Sequence, residues 1–176
     1  MKIRLFVAAE LPREAVDALV GWRPRGDALR LLAPEALHVT LAFLGWRGEE
    51  DVAPLSAVVE ASARPVAQLS LGEALWLPRR RPRVLAVRLD DGDGALGAVQ
   101  SEVARALQEA VGWPPERRAF LAHVTVARVR GGGRLPDAGT PPRLGPFAAS
   151  ALTLFRSHLS SGGARYEALA RASLAP

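Results

Sequence analysis

His38-Val39-Thr40-Leu41-Ala42-Phe43-Leu44 and His123-Val124-Thr125-Val126-Ala127-Arg128-Val129 share one pattern, His-Val-Thr-apolar-Ala-x-apolar. The chain has only three histidines, and two of them open these strings. The copies start nearly half of the 176 residues apart. A repeat at that distance predicts a duplicated unit, each copy carrying an imidazole and a hydroxyl.

Both strings are apolar and β-branched enough to read as strands. Residues i and i+2 of a strand share a face, so His38 stands beside Thr40 and His123 beside Thr125. Phe43 and Arg128, at i+5, fall on the opposite face of a regular strand. A bulge, a strong twist or a strand end is needed to return them to the histidine side.

Working outward, Ile3 to Ala9 reads as a strand, and Ala15, Val16, Leu19 and Val20 as a helical stripe closed by Gly21. In the second half, Val84 to Leu89 is strand-like. Leu96, Val99, Val103, Leu107 and Ala110 then recur at helical spacing, with Asp93 as cap and Gly112 as stop. The order strand, helix, loop, His-Val-Thr strand thus occurs over about 3–44 and again over about 84–129. A helix (about 49–62) and a strand (about 66–77) follow the first copy; strands at about 147–156 and 165–172 follow the second. This predicts an α+β architecture in which residues 1–176 form one domain, with two pseudo-two-fold lobes facing each other across a groove.

Composition narrows the chemistry. Apolar residues at 49% and charged residues at 23% suit a packed globular chain. No apolar run approaches the length of a membrane span. The apolar opening runs into Glu10, Glu14 and Asp17, so it reads as a first strand rather than a secretion signal, and a cytoplasmic location is expected. The absence of cysteine excludes disulfides, thiol catalysis and cysteine-ligated zinc. Net charge is +5, carried almost wholly by arginine because Lys2 is the only lysine. Guanidinium forks match phosphate oxygens better than ammonium groups do. Arg79-Arg80-Arg81-Pro82-Arg83, and Gly131 to Arg134 running on to Pro142, read as solvated loops; the alternative is that either edges an RNA-binding groove.

In-line displacement at phosphorus needs a base on the entering oxygen and an acid on the leaving one, on opposite sides. Two pseudo-symmetric histidines meet that demand, Thr40 and Thr125 can donate to phosphate oxygens, and Arg128 can clamp two non-bridging ones. Phe43 is divided between core packing and base stacking, as is Trp46 between packing and a second aromatic surface. His158 lacks a following Thr and reads as structural. Zinc sites generally take three protein ligands, and no His-Glu-x-x-His or His-x-His spacing occurs. Phosphate-loop, Gly-x-Ser-x-Gly and dinucleotide fingerprints are also absent.

The motifs His-x-Thr-x-x-Phe (His38, Thr40, Phe43) and His-x-Thr-x-x-Arg (His123, Thr125, Arg128) resemble those of the two-histidine phosphoesterases. Together with Arg4-Leu5-Phe6-Val7-Ala8, Arg81 to Leu85, Leu154 to Ser157 and Gly162 to Tyr166, they resemble the RNA 2′,3′-cyclic phosphodiesterase or 2′-5′ RNA ligase branch over essentially the whole chain. The resemblance implies mainly antiparallel sheets lining a central cleft, with helices outside. It implies hydrolysis of an RNA terminal 2′,3′-cyclic phosphate to a 2′-phosphate, without metal or cofactor. His38 would be the acid on O3′ and His123 the base on water. Thr40, Thr125 and Arg128 would hold the phosphate, and Phe43 would stack on the terminal base. Partners would be RNA 3′ ends or small cyclic nucleotides, met by a monomer. His158 departs from the acidic residue relatives often carry there. The alternatives are a reversible 2′-5′ ligase, a small cyclic-nucleotide phosphodiesterase, and, in another class, an idle RNA-binding module; the last is disfavoured because the paired motifs are intact.

Overall fold

The computed structural model describes residues 1–176. Its frame is an antiparallel sheet built from β1 (Lys2–Glu10), β2 (Leu29–Leu31), β3 (His38–Gly48), β4 (Leu69–Leu77), β5 (Val84–Asp91), β6 (His123–Val129), β7 (Ala151–Ser160) and β8 (Gly163–Ser173). Strand order is β4-β5-β6-β3-β1-β7-β8, with β2 added beside the second half of β6. One half of the molecule is therefore β3, β1, β7 and β8, and the other is β6, β5 and β4. They meet where β3 lies antiparallel to β6 at the single pair Val39 and Val124. The two expected lobes are thus halves of one continuous sheet.

Alternation sorts the side chains. Along β1, Ile3, Leu5, Val7 and Ala9 belong to the hydrophobic core, whereas Arg4, Phe6, Ala8 and Glu10 point the other way. On the core side lie α1 (Arg13–Trp22), α2 (Val52–Ser62) and α3 (Ala95–Val111). α3 buries Leu96, Val99, Val103 and Leu107 at helical spacing, and α2 buries Leu55, Val58 and Val59. Each such side chain removed from water contributes roughly 1.5–3 kcal/mol. With the helices on one face, the other face of the sheet is left to form a cleft.

The sequence expectations hold for most elements, with several adjustments. α1 runs through Gly21 and ends at Trp22, so Gly21 does not close it, and β4 begins at Leu69 rather than near 66. β2 is an added three-residue strand, held to β6 through Leu29, Arg30 and Leu31. β7 begins at Ala151, because the segment before it makes only a lone bridge, Phe147 to Leu69. At the start of α3, Asp93 accepts from the Ala95 amide at 3.1 Å. Asp91 does more, accepting from Leu96 and Gly97 at 3.2 and 2.8 Å. Gly112 ends that helix with φ of 63°, a conformation costly for a residue with a Cβ.

Candidate active site

Both histidine strands break their alternation at the same place. In β3, Thr40 pairs with Ala8 and Ala42 with Val7, leaving Leu41 as an extra residue. In β6, Thr125 pairs with Ala86 and Ala127 with Leu85, leaving Val126 extra. Each bulge puts two apolar residues in succession into the core, Leu41-Ala42 and Val126-Ala127. Phe43 and Arg128 consequently return to the face that carries His38, Thr40, His123 and Thr125.

That face lines a cleft of about 160 Å³, and all six sequence-predicted residues border it. The Val39–Val124 pair explains why the two motifs meet. Carried one residue either way, the antiparallel register sets His38 opposite Thr125 and Thr40 opposite His123, on the face the valines do not use. Diagonal neighbours in such a ladder stand about 7–8 Å apart.

The two rings are held differently. His123 Nδ1 donates to the Leu121 carbonyl at 2.8 Å, which fixes the tautomer with Nε2 as the free lone pair. His38 Nε2 lies 3.1 Å from Thr40 Oγ1. The His38 ring stacks on Phe6 with centroids 5.0 Å apart, meets Tyr166 edge-on at 5.4 Å and lies 6.1 Å from Phe155. Burial in this aromatic box pushes His38 down from 6.5 to about 4; the Ala36 carbonyl and Glu10 pull the other way, while His123 and Arg128 add to the depression. In the open cleft His38 is therefore neutral near pH 7.

Arg4, Phe6, Ser157 and Tyr166 also line the cleft. They lie in stretches that carry the family resemblance, but the paired motifs gave them no individual role, because they arrive on β1, β7 and β8. Arg4 lies over the Phe43 ring, 4.9 Å from its centroid, and Phe43 remains 44% exposed. No carboxylate borders the cleft, and neither Arg4 nor Arg128 forms an ion pair. The site is cationic and suited to an anion. Trp46 is exposed and lies outside the cleft lining. His158 pairs with Glu167 at 2.7 Å on the β7–β8 hairpin and is not among the cleft residues. No helix is long and apolar enough to cross a membrane.

Comparison with protein-family models returned no match. Comparison with curated proteins did. The chain is 30% identical to the RNA 2′,3′-cyclic phosphodiesterase of Escherichia coli (strain K12), covering 97% of this chain and 96% of that one. It is also 30% identical to the protein of the same name from Thermus thermophilus, over 98% and 90% of the two chains. Among solved structures, a Thermus thermophilus protein superposes with a TM-score of 0.80 at 29% identity, covering 98% of each chain. E. coli LigT complexed with 3′-AMP superposes with a TM-score of 0.78 at 27% identity, covering 100% of each. The shared length, the shared fold and the paired motifs agree, and this chain belongs to the RNA 2′,3′-cyclic phosphodiesterase family of two-histidine phosphoesterases.

Proposed function

We propose that this protein hydrolyses the 2′,3′-cyclic phosphate at an RNA 3′ end to a 2′-phosphate, using His38 and His123 as an acid–base pair without a metal ion. The observation that carries the reading is the carboxylate-free cleft that two opposed His-Thr pairs line together with Arg128. His123 Nε2 takes a proton from water as the water oxygen attacks phosphorus. The P–O3′ bond breaks, and His38 Nε2 gives its proton to O3′. The products are a 2′-phosphomonoester and a free 3′-hydroxyl, and proton exchange with solvent resets both rings. Thr40, Thr125 and Arg128 hold the non-bridging oxygens, where charge grows in the pentavalent transition state.

The acid role requires His38 to be charged when substrate is bound, although burial leaves it neutral in the open cleft. The phosphodiester anion supplies the missing opposite charge and raises its affinity for a proton. Phe43 offers a ring face for the terminal base. We also propose that the chain works as one two-lobed domain, as a monomer, in the cytoplasm.

The test is incubation of the purified protein with RNA ending in a cyclic phosphate, with and without an acceptor strand bearing a 5′-hydroxyl, in chelator. The expected product is 2′-phosphate in both cases, with turnover lost in H38A and in H123A while circular dichroism is retained. A joined strand dominating in the presence of acceptor supports the reverse, ligating direction. Binding without turnover supports an idle RNA-binding module.

A further inference from the structure

We propose that a second groove, opening off the cleft beside His123, holds the RNA strand on the 5′ side of the cyclic phosphate; this rests on the hydrolase reading above. The groove encloses about 950 Å³ and shares Thr40, His123 and Arg128 with the cleft. It is lined by the side of α3, by the 115–121 segment and by the turn from Pro78 into β5. A cyclic phosphate sits at a 3′ terminus, so with phosphorus between the two histidines the strand continues only from the 5′ oxygen of the last nucleotide. An exit that begins at the catalytic residues is what such a substrate requires.

Charge favours a phosphodiester occupant. Four arginines, Arg83, Arg105, Arg118 and Arg128, line the groove against one carboxylate, Glu116. Arg105 is already engaged by Glu102 and Glu109, each at 2.6 Å. Arg83, Arg118 and Arg128 form no ion pair. The Val129 amide donates to the Arg83 carbonyl at 2.8 Å, so Arg83 is fixed beside the strand that carries Arg128. Past Pro78, the exposed Arg79, Arg80 and Arg81 prolong the same cationic edge. Phe120, half-buried in the wall, gives bases an apolar surface. Guanidinium groups along a trough with an aromatic in its wall are the features that track single-stranded RNA without reading its sequence.

The test compares kcat/KM for an RNA of about ten nucleotides ending in a cyclic phosphate with that for a mononucleotide 2′,3′-cyclic phosphate. In the wild type the longer substrate is favoured by about tenfold or more at low salt, and in R83A/R118A the ratio falls towards one. The salt slope for the long substrate also flattens, by roughly 0.7 per lost phosphate contact. A wild-type ratio near one, or an unchanged ratio in the double variant, overturns the groove while leaving the hydrolase reading intact. Absence of turnover on both substrates sinks the hydrolase reading instead. Fluorescence anisotropy of the labelled RNA then decides the groove: weaker binding by R83A/R118A sustains it, and equal binding overturns it.

Discussion

Leu41 and Val126 occupy the same place in their strands: each is the extra residue of a β-bulge three positions after a cleft histidine. Without the bulges, strict alternation would turn Phe43 and Arg128 toward the helices. With them, the fifth residue after each histidine rejoins the cleft. The two halves then part company chemically. One uses this position for an aromatic ring and the other for a guanidinium, so a pseudo-symmetric frame holds an asymmetric ligand.

Arg128 faces the phosphate site with no carboxylate to satisfy it. R128K retains the charge but loses the planar fork. We expect kcat to fall by about 10²–10³-fold, with thermal stability close to wild type. Steady-state kinetics on a cyclic phosphate substrate checks this, and a rate within a few-fold of wild type would remove Arg128 from the mechanism.

Phe43 is well exposed and takes little part in core packing. F43A should therefore leave the fold alone and weaken base stacking, by about 1–3 kcal/mol. The expected signature is a higher KM for cyclic nucleotides and an unchanged KM for a ribose 2′,3′-cyclic phosphate lacking a base. Equal effects on both substrates would assign Phe43 to packing around Arg4.

His38 links pH to stability. Its affinity for a proton is depressed by burial from 6.5 to about 4, so below pH 6.5 the unfolded chain binds a proton that the folded chain refuses. Stability from this residue is complete above about pH 6.5 and is lost as pH falls towards 4. The loss is on the order of 2–3 kcal/mol. Urea unfolding at pH 7 and pH 4.5 should show a larger drop for wild type than for H38Q. Parallel drops would contradict the assignment.

The same depression makes a prediction about binding. If a phosphate anion recharges His38, a 2′-nucleotide must take up a proton as it binds and bind more tightly as pH falls from 7.5 to 6. Calorimetry in buffers of different ionisation heat measures that proton directly. Binding without uptake would transfer the acid role to His123.

The sequence made the site legible because the residues that do the chemistry are local: His-Val-Thr reads as one strand face wherever it is placed. The need for a bulge was also visible, since Phe43 and Arg128 had the wrong parity. Its position was not, because Leu41 to Leu44 is one unbroken apolar run; only the pairing register singles out Leu41 and Val126 as the extra residues. The surroundings were not legible. Phe6, Phe155 and Tyr166 box in His38 from three strands that only the sheet order brings together, and nothing near any of them points to an imidazole. The three residues of β2 are too few to show a period. Asp91 and Asp93 both precede α3, and only the path of the loop makes Asp91 the stronger cap.

The most direct measurement is a crystal structure with a 2′-phosphorylated nucleotide soaked into the cleft. Nε2 of His38 and Nε2 of His123 should each lie about 3 Å from an oxygen of the same phosphate group, on opposite sides of phosphorus. A phosphate that contacts one of these rings and leaves the other out of reach would contradict paired acid–base catalysis.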